Sequence, residues 1–170
     1  LATGDDIIIC DPEGEYTPLV QAIAKDASVI HIPAGGRDRI NAMDMVEGYG
    51  DNNPIVDKAQ FIMSLVEQID PNGVGAHHKS IIDRCTDAVY REQAQTGKVP
   101  TLCTLREKLL EQPGQEAHDL ALALELFTSG SLDVFAHEPN VDTSSRIISY
   151  DIHDLGAQLK PAGLLTITDA

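Results

Sequence analysis

The sequence is short of positive charge: 12 Lys and Arg stand against 27 Asp and Glu, a formal net charge of −15 over 170 residues. So acidic a chain holds a phosphate backbone poorly, and direct nucleic-acid binding by this segment is not expected. Cysteine is scarce too. Cys10, Cys85 and Cys103 are far apart, odd in number and free of any C-x-x-C pair, which reads as thiols of a reducing compartment rather than a disulfide framework. No apolar run approaches the roughly 18 residues of a membrane span. No secretory signal is visible either, so a soluble, cytoplasmic segment is expected.

Several catalytic signatures are missing. None of the six histidines stands in H-x-x-x-H or H-E-x-x-H spacing, so no metal site is expected from the pattern. There is no G-x-S-x-G elbow, and no Cys with an apparent base. A G-x-G-x-x-G is absent, which removes a dinucleotide fingerprint. G-x-x-x-x-G-K-[ST] is absent as well; Pro33-Ala34-Gly35-Gly36-Arg37 is Gly-rich but has no Lys-Ser/Thr. The pair Asp5-Asp6 precedes a strand instead of following one, contrary to a phospho-receiver.

What is present begins at Ile7-Ile8-Ile9-Cys10, a short unbroken apolar run of the kind that is buried on both faces of a sheet. Asp11-Pro12 stops it, because Pro gives no N–H to a ladder. Gly14 permits a tight turn, and Pro18 to Ala24 reads as a helix with Pro in its first turn. In an open α/β sheet the carboxyl ends of parallel strands line the ligand crevice. Asp11, Glu13 and Glu15 are therefore delivered to the edge where such a sheet does its chemistry, although the same residues also fit a solvated loop.

Ser28 to Ile32 reads as a second strand, after enough chain for a helical crossover. Ile40 to Met45 fits one helical turn. From Asn53 to Phe135 strand candidates vanish. Helical stripes run from Asn53-Pro54 to Ile69, from His77 to Gln95, through Leu105 to Leu110, and from Glu116 to Phe127. Thr101 or Thr104 caps the third, with Thr104-x-x-Glu107 fitting a capping box. Arg146 to Ile152 returns to strand texture, and Leu155 to Lys160 reads as helical. Leu164 to Thr168 suits a strand by propensity. The expected fold class is thus α/β: a parallel sheet in two discontinuous parts, 1–50 and 145–170, with an all-α insertion at 51–144.

Asp11-Pro12-Glu13-Gly14-Glu15-Tyr16, then Pro18-Leu19-Val20 and Ile40-Asn41-Ala42-Met43-Asp44, closely resemble the conjugative-transfer ATPases of type IV secretion. This is the CagE/TrbE/TraE group, equivalent to the fourth component of VirB systems. Ala123 to Phe135, Asn140-Val141-Asp142 and Tyr150 to Lys160 resemble the same family, so the likeness spans nearly the whole chain in order. The family often has Pro where Ala42 stands. The resemblance implies a partial RecA-like, P-loop NTPase core, and it favours helix over strand at 164–168. It also implies that the P-loop and the acidic Walker B strand lie outside these residues, the chain being a central piece of a longer ATPase; Asp169 does not fit the Walker B acid.

On that footing Glu13 or Glu15 positions the attacking water, while Asp11, near the nucleotide edge, braces the turn. ATP and Mg are cofactors of the intact protein, with none expected to bind this piece tightly. Other secretion components are the implied partners, the intact protein is a hexamer by resemblance, and partners hold it at the inner face of the membrane. The alternative is a non-catalytic protein-interaction module built on the acidic helical insert.

Overall fold

The computed structural model describes residues 5–23, 27–46, 48–50, 52–70, 74–130 and 132–169. Its described strands are β1 (Ile7–Asp11), β2 (Ser28–His31) and β3 (Ile147–Asp151), all parallel, in the order β1-β3-β2. The last strand in sequence therefore lies in the middle, and the first two do not pair with each other. Helix α1 (Thr17–Ile23) joins β1 to the crossover, with Pro18 in its first turn as expected. Ala24, the expected end of this helix, lies outside the described residues.

Central placement explains the burial of β3, in which Ile148, Ser149, Tyr150 and Asp151 are all shielded. β1 corrects its reading as a strand covered on both faces. It lies at the edge of the described sheet, and Ile8 is 60% exposed. Apolar character identified a strand here but not its place in the sheet.

The middle of the chain is helical: α2 (Pro54–Ile69), α3 (Ala76–Thr96), α4 (Leu102–Leu110), α5 (Gln115–Ala123) and α6 (Glu125–Thr128). Pro54 occupies the first turn of α2, and the stripe Ala59, Ile62, Leu65 and Val66 is buried. Gly97 closes α3 at φ +71°, the left-handed position that favours glycine. The cap of α4 is Thr101: its hydroxyl accepts from Thr104 N at 3.3 Å, and the Thr104 hydroxyl accepts from Thr101 N at 2.8 Å. The capping box is thus Thr101–Thr104, not Thr104–Glu107. The helix expected from Glu116 to Phe127 breaks at buried Leu124, where Phe127 N donates to the Leu124 carbonyl and tightens the turn.

Two further expectations change. Ile40 to Met45 forms a turn rather than a helix, because the Asn41 side chain accepts from Met43 N and gives the backbone a local alternative. The segment from Leu155 to Lys160 is not one helix. A 3-10 turn covers His153–Leu155, and α7 begins only at Lys160, running to Asp169. Residues 164–168 are accordingly helix. A Cβ on Gly163 would lie 2.5 Å from Leu155 Cδ2, so a larger residue there would have to displace the buried Leu155 side chain. One apolar cluster runs from Ile30 and Tyr150 in the sheet through Phe61 and Ile62 of α2 to Leu105 of α4. No helix among the described residues is long and apolar enough to cross a membrane.

Candidate functional site

The three strands end level with one another. Asp11 is in register with Asp151, and Asp151 with His31, so the carboxyl edge of the sheet reads Asp11, Asp151, His31 across its width. Parallel strands place their ends together in this way, and the crevice outside them is where an open α/β sheet receives ligands.

Asp11 is fully buried, and its work is structural. One carboxylate oxygen accepts from Glu15 N at 3.1 Å and the other from Tyr16 N at 2.8 Å. The side chain thereby satisfies backbone donors just ahead of α1 that the helix itself cannot. The turn then reverses through Gly14 at φ +72°, where an added Cβ would sit 3.2 Å from His153 Nδ1. Glu13 and Glu15 are exposed on that turn. Glu13 Oε1 lies 3.2 Å from the ammonium of Lys160, the first residue of α7. An ion pair this open is held weakly.

Beside the turn stands a cluster that sequence spacing did not disclose. The mostly buried Asp151 carboxylate meets His31 Nδ1 at 3.2 Å through one oxygen and His153 Nδ1 at 2.8 Å through the other. Asp154 faces the opposite side of both rings, 3.2 Å from His31 Nε2 and 3.0 Å from His153 Nε2. The hydrogen bond to Asp151 raises the His153 pKa above its ordinary value. Burial alone would raise Asp151, but hydrogen bonds from His153 and His31 hold it below the usual carboxylate range. His31 and Asp151 are 120 residues apart in sequence, so only the β2–β3 pairing brings them together.

A second polar assembly lies away from this edge. Lys58 is completely buried in the apolar stripe of α2; its ammonium bonds Asp169 of α7 and the Ala42 carbonyl, and lies 4.3 Å from the centre of the Tyr49 ring. The Tyr49 hydroxyl donates to the other Asp169 oxygen at 2.6 Å. Burial lowers the Lys58 pKa, and pairing with Asp169 opposes that shift. The sequence held a signal for this. Lys58 falls three residues after Ile55 and four before Ile62, on the buried side of the helix. All three cysteines are free thiols whose pKa values burial pushes up, which makes them poor nucleophiles.

No family model matches the chain, and no curated protein matches it. Among solved structures, that of VirB4 of Thermoanaerobacter pseudethanolicus is similar, with a TM-score of 0.77 at 21% sequence identity. The likeness covers 96% of this chain and 67% of that one. From the strands to α7, this chain has a VirB4-like fold, in keeping with the group its motifs resemble.

Proposed function

We propose that this chain is the central segment of an ATPase that powers transfer through a type IV secretion system. The observation that carries the reading is the turn Asp11 to Tyr16, placed at the carboxyl edge of a parallel sheet within a VirB4-like fold. In this reading 1–50 and 145–170 are two parts of a RecA-like core and 51–144 is an all-α insertion. The P-loop and the Walker B acid are supplied by sequence outside these 170 residues, as the resemblance implies.

Phosphoryl transfer demands little covalent chemistry of a protein; it demands positioning and charge stabilisation. Asp11 is already committed to two backbone donors, so its part is to hold the shape of the turn. The exposed carboxylates of the turn are those of Glu13, weakly paired with Lys160, and Glu15. Either can orient a water for attack on the terminal phosphoryl group. Lys160 lies 3.2 Å from Glu13 at the same edge. ATP and Mg are cofactors of the intact protein, whose partners are other secretion components and further copies of itself at the cytoplasmic face of the membrane.

The test compares this chain with the full-length protein. The full-length protein hydrolyses ATP in a Mg-dependent manner, and the 170-residue chain alone does not, since no phosphate-binding loop of the G-x-x-x-x-G-K-[ST] form occurs in it. A full-length protein that neither binds nor hydrolyses ATP would overturn the reading, as would turnover by the isolated chain that survives loss of all three acids of the turn.

A further inference from the structure

Four side chains close on one another at the ends of β2 and β3: Asp151, His31, His153 and Asp154. Their hydrogen-bond arithmetic is unusual. A carboxylate only accepts, so each Nδ1 facing Asp151 carries the N–H, and a neutral imidazole protonated there has a bare lone pair at Nε2. Both Nε2 atoms nevertheless point at Asp154 oxygens, at 3.2 and 3.0 Å. With the rings neutral each such pair is two acceptors, which repel one another unless a proton or a metal cation joins them.

We propose that this cation is a divalent transition-metal ion of the zinc class, bound by His31 Nε2, His153 Nε2 and the Asp154 carboxylate. The three ligand atoms lie within 4.8 Å of one another. Tetrahedral zinc, with bonds of about 2.0–2.1 Å to nitrogen, needs ligand atoms about 3.3 Å apart. The Nε2–Asp154 contacts, His31 to Oδ2 at 3.2 Å and His153 to Oδ1 at 3.0 Å, are close to that edge but reach different oxygens, so rotation of the exposed Asp154 carboxylate and the rings completes the set. Asp151 supplies the outer shell: metal-bound histidines hand their other N–H to a carboxylate, which fixes tautomer and ring orientation. Here one carboxylate does so for both rings. Asp151 is itself held in place, since it ends the central strand and also accepts from His153 N at 3.1 Å. Two imidazoles select against magnesium and calcium, which take oxygen ligands. The half-exposed rings leave the fourth position open to water.

An ion there would tie the end of β2 to the end of β3, beside Gly14, where an added Cβ would meet the His153 ring. It would thus stiffen the ground on which the Glu13–Glu15 turn rests. The ligands all belong to this chain, and the site does not depend on ATP hydrolysis.

Calorimetric titration of the chelator-stripped chain with ZnCl2, with Co2+ absorption reporting the ligand field, tests the site. One equivalent should bind saturably, with the visible bands of four-coordinate Co2+. His31→Gln or His153→Gln should weaken zinc binding by about 100-fold or more, and Asp151→Asn by about 10–100-fold as an outer-shell change. Circular dichroism of the stripped proteins checks that they are folded. Should a histidine variant unfold, Asp154→Asn, at an exposed position, serves in its place, and unchanged affinity there counts against the site. Absence of saturable binding, or equal binding by the His31→Gln/His153→Gln double variant, overturns the proposal: protons alone then separate the rings from Asp154, or the ion lies elsewhere.

Discussion

Asp11 shows how a single acid can hold a turn at a sheet edge. Its carboxylate spans the N–H groups of Glu15 and Tyr16, and it has no exposed surface. Asp11→Ala therefore strands two donors in a shielded turn, and a buried unsatisfied group costs about 1–3 kcal/mol. Urea unfolding of the variant should show a loss in that range, with Asp11→Asn losing less because its carbonyl still accepts. A change within about 0.5 kcal/mol, the usual surface value, would mean that the cap contributes nothing. The bracing role of Asp11 was legible in the sequence, since Asp before Pro at a strand end is turn chemistry. The His31–His153–Asp151–Asp154 ring was not. Its members are unremarkable locally, and their meeting depends on which strand lies next to which.

Among the elements, helix α2 carries the sharpest conflict between local pattern and burial. Its stripe is apolar except for Lys58, whose ammonium is anchored by Asp169 at the far end of α7. Breaking a buried pair by removing one partner costs about 3–5 kcal/mol, because the remaining charge has nowhere to go. Asp169→Ala should be destabilised by that order, and Lys58→Met placed on the same background should recover most of the loss. Equal stability of the single and double variants in chemical denaturation would show that Lys58 finds water instead. The sign of the pH effect follows. Burial lowers the folded-state pKa of Lys58 below its ordinary 10.5, so the unfolded chain binds more protons there, and this group's contribution to stability rises with pH through that window. Asp169→Ala removes the opposing attraction and should widen the window. Helices were the most legible elements, since Ile82, Cys85 and Val89 repeat at helical spacing whatever surrounds them. Strand order was not legible: Ile7 to Cys10 is the more apolar run and Ile147 to Tyr150 carries Ser149, yet the tertiary fold puts the first at the edge of the described sheet and the second at its centre. A helical turn was wrongly expected at Ile40 to Met45, where the Asn41 side chain competes for the backbone.

For the whole molecule, the order of elements converges on one edge. Parallel pairing gathers the ends of β1, β2 and β3, the acidic turn projects from that edge, and α7 approaches it through Lys160. If this edge faces ATP in the intact protein, its two exposed glutamates divide cleanly between folding and catalysis. Neither is buried, so replacing either by Gln should move the melting temperature little, in line with surface changes within about 0.5 kcal/mol. Loss of a positioned base should cost on the order of 100-fold in turnover, about 2.7 kcal/mol of barrier. Steady-state ATPase of full-length Glu13→Gln and Glu15→Gln, measured beside ATP binding and melting temperature, is the most direct test. The expected result is that at least one variant loses about 100-fold in turnover while binding and stability hold. Near-normal turnover in both would contradict the account and leave the turn a structural feature.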